Sequence, residues 1–237
     1  MFKVTSRWPH QDSIKVEWNL GKRCNYDCAY CPSSIHDNTS PHTDIEILKK
    51  AIDKLVTLGK PIRLSFNGGE PCVHPKFHEL IKYAKYKNVA WISVTTNGTL
   101  PFEFYQALPV DQLVFSIHFE FDWRRVLKTL QTLAERSNKK LIGQVMAHQF
   151  VRGVLIHDQI PSTVRRIRWT EGDHDLFDDM RYHPDDLNWI KEQEATIQGN
   201  CVIDDTEIIH SNDVIKLHLN KYKDWSCNAG IESLMIN

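Results

Sequence analysis

The sequence predicts an α/β chain whose core is an open, partial (β/α)6 TIM-like barrel, followed by a small α+β C-terminal extension. Two observations carry this. Strand-like runs alternate with helix-like runs from Ile14 to Trp169, the order that a parallel sheet with right-handed crossovers requires. Most of those strand runs also split into an apolar and a polar face. Six β-α units fall short of the eight that close a full barrel.

The first strand reads Ile14 to Leu20, with Ile14, Val16, Trp18 and Leu20 on one face and Lys15, Glu17 and Asn19 on the other. A helix starts near Thr43, where T-D-I-E has the form of a capping box. Its apolar residues Ile47, Leu48, Ala51, Ile52 and Leu55 recur at helical spacing. The second strand, Ile62 to Asn67, opposes Ile62, Leu64 and Phe66 to Arg63, Ser65 and Asn67, and runs into G-G-E-P. A helix follows around Lys76 to Lys85. The third strand, Ala90 to Thr95, ends in T-N-G, and its faces are ambiguous. After a short helix near Phe102, the fourth strand, Gln112 to Ile117, opposes Leu113, Phe115 and Ile117 to Val114, Ser116 and His118. Trp123, Val126, Leu127, Leu130 and Leu133 mark an amphipathic helix. The fifth strand, Leu141 to Ala147, puts Gln144 and His148 on one face with Ile142 and Met146. Gln149 to Pro161 is a poor helix with Gly153 inside it. The sixth strand, Val164 to Trp169, opposes Arg166 and Arg168 to Ile167 and Trp169.

Buried parallel strands are usually apolar on both faces. Here one face is repeatedly polar. Helices covering the apolar face, with the polar face lining a wide ligand-holding lumen, account for this. A half-exposed antiparallel sheet is the alternative, and the helices between the strands argue against it.

The domain boundary is expected near residue 172, with residues 1–172 as the barrel and 173–237 as the extension. Glu171 to Asp179 reads as an acidic, solvated loop. A helix is expected from Pro184 to Ala195, with proline in its first turn. Strand-like runs follow at Cys201 to Ile203, Glu207 to Ile209 and Val214 to Leu219.

Hydrophobic residues make up 41% and charged residues 25% of the 237 positions, and the net charge is −1. That balance speaks against nucleic acid or an anionic membrane surface as a partner. No apolar run is long enough to span a bilayer, and MFKVTSRWPH lacks the apolar core of a secretion signal. A cytoplasmic protein is expected.

Of the six cysteines, Cys24, Cys28 and Cys31 fall within eight residues, while Cys72, Cys201 and Cys227 are dispersed. In a reducing compartment such clustering points to metal or catalysis rather than disulfides. A [4Fe–4S] cube takes four ligands, so three nearby thiolates leave one iron open to a small molecule. A zinc site would want a fourth Cys or His; His36 is near, but there is no second paired-cysteine knuckle. A ferredoxin would supply all four ligands itself.

The run C-N-Y-D-C-A-Y-C, with Tyr30 before its last cysteine, resembles the C-x3-C-x-aromatic-C pattern of the radical SAM superfamily. The resemblance spans roughly residues 14 to 170. It implies a [4Fe–4S] cluster on Cys24, Cys28 and Cys31, with S-adenosylmethionine (SAM) chelating the open iron through its amine and carboxylate. Reductive cleavage would give a 5′-deoxyadenosyl radical that takes hydrogen from a substrate. An electron donor such as flavodoxin or ferredoxin is implied. Gly68, Gly69, Glu70 and Pro71 resemble the family's motif for the SAM methionine amine, and Tyr30 is expected to pack near the adenine. Thr95 to Gly98 read either as an Asn-Gly turn or as a rim contact, with Thr96 and Asn97 the candidate contacts. Ser116 matches a serine that binds the SAM ribose or carboxylate in related enzymes. His118 suits a cofactor contact or a satisfied core histidine. Gln144 and His148 are further candidates. Lys15, Arg63, Arg166 and Arg168 suit an anionic ligand or salt bridges to Glu17 or Glu70.

The stretch W-S-C-N-A-G resembles the opening of twitch and SPASM extensions, which bind auxiliary clusters. Cys227 is the candidate auxiliary ligand. Three dispersed cysteines do not complete a four-thiolate cluster, so the extension is expected to be vestigial, truncated, or completed by substrate. Only about a dozen residues precede the first strand, so a small molecule or nucleotide is favoured as substrate over a peptide. A non-catalytic Fe–S or zinc protein on a degenerate barrel is the alternative.

Overall fold

The computed structural model describes residues 5–6, 12–31, 34–147, 162–166, 168–170, 177–179, 183–186, 200–203, 207–210 and 233–236. The core alternates β1 (Ile14–Asn19), α1 (Ile45–Val56), β2 (Ile62–Asn67), α2 (Phe77–Tyr86), β3 (Trp91–Thr96), α3 (Phe102–Ala107), β4 (Gln112–Ile117), α4 (Trp123–Arg136), β5 (Lys140–Ala147) and β6 (Ser162–Arg166). Each strand pairs in parallel with the next, in the order β1-β2-β3-β4-β5-β6. This is the partial barrel that the alternation predicts.

One strand was not foreseen in the core. Residues Ser233–Ile236, which read as part of the extension, form β7 and pair in parallel with the outer edge of β1. Three short apolar residues, Leu234, Met235 and Ile236, carry too little pattern to assign a partner.

The strand faces follow their alternation. Val16, Trp18, Leu64, Phe66, Ile92, Val94, Leu113, Phe115 and Ile117 are buried. They pack with Leu48 and Ile52 of α1, Leu80 and Ile81 of α2, and Leu130 and Leu133 of α4 in one core. The third strand's ambiguity resolves the same way: Ile92, Val94 and Thr96 are buried on the helix side, while Trp91 and Thr95 remain half-buried opposite them. On that opposite face the register sets Lys15 beside Arg63 and Trp91. It also sets Glu17 beside Ser65, Ser93, Gln112 and Lys140. Ser116 stands beside Gln144. The polar rows therefore line the concave side, and the antiparallel alternative fails.

Several local expectations need correction. Helix α1 is capped by Asp44, whose carboxylate accepts the Glu46 N–H at 2.8 Å, rather than by Thr43. The Thr43 carbonyl meets His74 Nε2 at 2.9 Å. The sixth strand stops at Arg166; Arg168–Thr170 pair antiparallel with Phe177–Asp179 in a separate sheet. The acidic stretch is thus partly strand, and its Asp179 stands opposite Arg168. Arg166 and Arg168 belong to different strands. Thr5–Ser6, Asn200–Ile203 and Glu207–His210 make a separate antiparallel sheet. Pro184–Asp186 are helical; the rest of that expected helix, the connection 149–161, His148, the run 214–219 and Cys227 lie outside the described residues.

Candidate cluster and cofactor site

The cysteine loop leaves the C-terminal end of β1, the rim where parallel barrels carry their chemistry. The chain is strapped at both ends of its first turn. Cys24 N–H donates to the Asp37 carbonyl at 2.7 Å, and Asp37 N–H to the Lys22 carbonyl at 2.9 Å. Cys31 N–H donates to the Cys28 carbonyl at 2.9 Å, closing a turn over the last two cysteines.

The glycine pair after β2 works on this loop. Gly69 N–H donates to the Gly21 carbonyl and Glu70 N–H to the Arg23 carbonyl, both at 2.9 Å. A Cβ on Gly69 would stand 2.3 Å from the Lys22 carbonyl oxygen and 2.4 Å from that of Arg23. Gly68 holds φ at +116°, a conformation open to glycine, and a Cβ there would meet the Gly21 carbonyl at 2.6 Å. The close approach that these glycines allow is therefore between two backbones.

Glu70 is 3% exposed. Its carboxylate accepts the Asn97 N–H at 2.6 Å, the Thr96 hydroxyl at 2.8 Å and the Cys72 N–H at 3.0 Å. Burial nonetheless pushes its pKa up. The acid thus clamps the turn after β3. That turn in turn reaches the cysteine loop: Asn97 Nδ2 donates to Asn25 Oδ1 at 2.8 Å and faces Cys24 Sγ at 3.9 Å. Asn25 Nδ2 donates to the Thr99 hydroxyl at 2.7 Å.

A third wall comes from the end of β4. His118 Nδ1 lies 2.5 Å from the Tyr30 hydroxyl and 3.5 Å from Cys28 Sγ. The Glu120 carboxylate accepts the Ala29 N–H at 3.1 Å. Tyr26 stacks on Phe121 with ring centroids 3.7 Å apart and sets its edge against His118. Burial lowers the His118 pKa to about 4, so the imidazole is neutral. Gln144 Nε2 reaches Ser116 Oγ at 3.5 Å, deeper on the same face.

These residues fit an iron–sulfur cube. Burial raises the pKa of all three thiols, that of Cys28 to about 12, and the thiolate charges oppose one another. N–H groups face the sulfurs, with Tyr26 N–H donating to Cys24 Sγ at 3.4 Å. Among the described residues, no group of three or more His, Cys, Asp or Glu side chains gathers to hold a single metal ion. A zinc centre needs such a gathering, whereas a cube gives each thiolate its own iron. His36 is engaged elsewhere, with Nε2 3.1 Å from Asp27 Oδ1.

The expected site residues Tyr30, Gly68, Gly69, Glu70, Pro71, Thr96, Asn97, Ser116, His118 and Gln144 all lie on this rim or just below it. Asn25, Tyr26, Thr99 and Glu120 were missed. Asn25 and Tyr26 stand inside the cysteine run and were legible; Thr99 and Glu120 carry no pattern of their own. Of the basic residues, Lys15 pairs with Glu17 at 2.5 Å and Arg63 lies 4.7 Å from the centroid of Trp91.

Residues 18–142 match the profile of the Radical SAM superfamily, a stretch that takes in the cysteine loop, all of β2, β3 and β4, the end of β1 and the start of β5. The chain belongs to the radical SAM superfamily. It is 37% identical over 86 residues to the Fe-coproporphyrin III synthase of Methanosarcina barkeri, covering 36% of this chain and 21% of that one. It is 35% identical over 90 residues to an S-adenosylmethionine-dependent nucleotide dehydratase of Selenomonas ruminantium, covering 37% and 31%. The match therefore spans a third or less of these relatives. Among solved structures, Streptococcus suis SuiB bound to S-adenosylmethionine superposes with a TM-score of 0.58 at 15% identity, over 77% of this chain and 47% of that one. That likeness concerns the fold.

Proposed function

We propose that this radical SAM chain is an enzyme that cleaves SAM reductively and takes a hydrogen atom from a small-molecule or nucleotide substrate. The observation that carries the reading is the convergence of three strand ends on the cysteine loop: Gly69 and Glu70 from β2, Asn97 from β3 and His118 from β4. Cys24, Cys28 and Cys31 would hold a [4Fe–4S] cluster. When bound, the cluster and SAM supply one-electron bond cleavage and hydrogen abstraction, chemistry that no side chain offers.

The chain's own residues bind, orient and exclude water. The backbone of Gly68 to Pro71 would take the methionine amine, with Glu70 fixing its shape from behind. Thr96, Asn97, Ser116 and Gln144 would position the nucleoside or substrate along the concave face. Tyr30 and His118 close the wall beside Cys28. Half-buried polar residues, among them Glu17, Gln112 and Gln144, line the face below them.

The relatives favour a small substrate, since one is named for a coproporphyrin and another for a nucleotide. A peptide presented by a separate partner is the competing outcome; one relative, at 38% identity over 89 residues, serves subtilosin biosynthesis in Bacillus subtilis. A flavodoxin or ferredoxin would deliver the electron. We place the protein in the cytoplasm; no helix among the described residues is long and apolar enough to cross a membrane. Residues 173–237 are proposed as a twitch- or SPASM-like extension of the barrel at 1–172, with Cys227 as the candidate auxiliary ligand and β7 returning to the core.

The test is anaerobic reconstitution with iron and sulfide, then incubation with SAM and dithionite. About four irons per chain and formation of 5′-deoxyadenosine support the proposal. Colourless protein carrying one zinc would favour the non-catalytic alternative. Isotope transfer from candidate nucleotides or tetrapyrroles, against peptides, then separates the substrate classes.

A further inference from the structure

Three side chains beside the first cysteine of the loop close a hydrogen-bonded ring. Asn97 Nδ2 donates to Asn25 Oδ1 at 2.8 Å, Asn25 Nδ2 donates to the Thr99 hydroxyl at 2.7 Å, and that hydroxyl donates to Asn97 Oδ1 at 2.8 Å. Asn25 belongs to the cysteine run, whereas Asn97 and Thr99 belong to the turn after β3. Asn97 is 5% exposed, so its amide depends on protein partners.

One backbone group sets the direction of the whole ring. The Thr99 N–H donates to Asn97 Oδ1 at 3.2 Å. A backbone N–H can only donate, so the oxygen end of the Asn97 amide must face it. The nitrogen end then faces the cysteine loop. An amide nitrogen also only donates, so Asn25 must present its oxygen to Asn97 and its nitrogen to Thr99. The Thr99 hydroxyl accepts from Asn25 and gives its single proton to Asn97 Oδ1. Asn97 Nδ2 carries two hydrogens. One goes to Asn25 Oδ1, and the other is left for Cys24 Sγ, which lies 3.9 Å away, at the long end of a hydrogen bond to sulfur. The Tyr26 N–H donates to the same sulfur at 3.4 Å.

We propose that the Asn97 side chain donates to the Cys24 thiolate and so raises the reduction potential of the cluster, with Asn25 and Thr99 holding the amide in that orientation. A coordinating cysteine is a thiolate, which accepts and cannot donate. Reduction adds one electron, supplied by an external reductant such as dithionite, and part of the added charge falls on the thiolate sulfurs. An N–H aimed at a sulfur stabilises the more negative state, and the closed ring polarises that N–H further. No proton changes owner. The role belongs to the Asn97 side chain and is separate from any contact that its backbone makes with SAM.

The inference rests on the reading of Cys24 as a cluster ligand. Wild-type protein that takes up no iron after reconstitution sinks that reading, and the inference with it. Given loaded wild type, the test is a redox titration of the cluster followed by EPR. Asn97→Leu removes the donor at similar size and without adding charge. Thr99→Val leaves Asn97 in place and opens the ring; Thr99→Ser keeps the hydroxyl. Loaded with about four irons, Asn97→Leu is expected to titrate at a more negative potential than wild type. Thr99→Val is expected to shift the same way by a smaller amount, and Thr99→Ser to stay at the wild-type potential. A wild-type potential in loaded Asn97→Leu overturns the inference. So does a wild-type potential in loaded Thr99→Val when Asn97→Leu fails to take up iron. Loss of the cluster in both Asn97→Leu and Thr99→Val overturns it equally, because the ring would then hold the loop rather than tune the iron.

Discussion

The Glu70 carboxylate accepts the backbone N–H of Asn97 at 2.6 Å, across two parallel strands and away from solvent. This bond joins the G-G-E-P loop to the T-N-G turn, and Asn97 carries the connection on to Asn25 and Cys24. The carboxylate therefore acts on the cysteine loop through backbone, and its own oxygens are already occupied.

Glu70→Gln tests that clamp. An amide cannot accept on both ends, so either the Asn97 N–H or the Cys72 N–H and Thr96 hydroxyl lose their acceptor. A buried donor left unsatisfied costs about 1–3 kcal/mol. Urea denaturation of the variant should show a loss of that size, together with faster hydrogen exchange at Asn97.

Gly69→Ala should disrupt the cysteine loop directly. The new methyl carbon would sit 2.3 Å from the Lys22 carbonyl oxygen, so one of the two backbones must move. Iron bound after reconstitution is expected to fall by most of the wild-type amount, while far-UV circular dichroism stays close to wild type.

Tyr105→Phe probes the support beneath the same turn. The Tyr105 hydroxyl accepts the Leu100 N–H at 3.1 Å and lies 3.2 Å from Thr96 Oγ1, with no exposure of the residue. Removing it strands the Leu100 N–H at a cost of about 1–3 kcal/mol. Thermal denaturation should show the drop.

Asp53 gives a pH signature far from the site. On α1, it accepts from the Tyr83 hydroxyl of α2 at 2.8 Å and pairs with Lys87, just beyond that helix, at 2.7 Å. The Lys87 ammonium, and then Tyr83, hold its pKa below the ordinary 3.8. A depressed carboxylate stabilises the fold above its unfolded pKa and loses that contribution as pH falls through the folded value. Asp53→Asn should therefore melt below wild type at pH 7, and the difference should close between pH 3.8 and more acid conditions.

The strand faces were legible because alternation survives without tertiary knowledge: Val16, Leu64 and Leu113 are buried where period two puts them. The cysteine loop was legible because its spacing is rare. Glu70 was not. A glutamate after two glycines reads as a ligand, and its burial depends on how the β2 and β3 exits pack, which is long-range information. Arg168 was misassigned because one residue of register decides where a strand ends, and its antiparallel partner, Phe177–Asp179, lies further along the chain. The Asp44 cap was missed because Thr43 and Asp44 are both good caps, and the His74 contact to the Thr43 carbonyl lies far along the chain.

The most direct measurement of the central claim compares wild type with Cys28→Ala after anaerobic reconstitution, reading iron, the charge-transfer band near 400 nm and 5′-deoxyadenosine from SAM and dithionite. Wild type should bind about four irons and release 5′-deoxyadenosine, and Cys28→Ala should lose the band and the product. A wild-type protein that binds iron no better than Cys28→Ala, or that leaves SAM intact while fully loaded and reduced, would contradict the account.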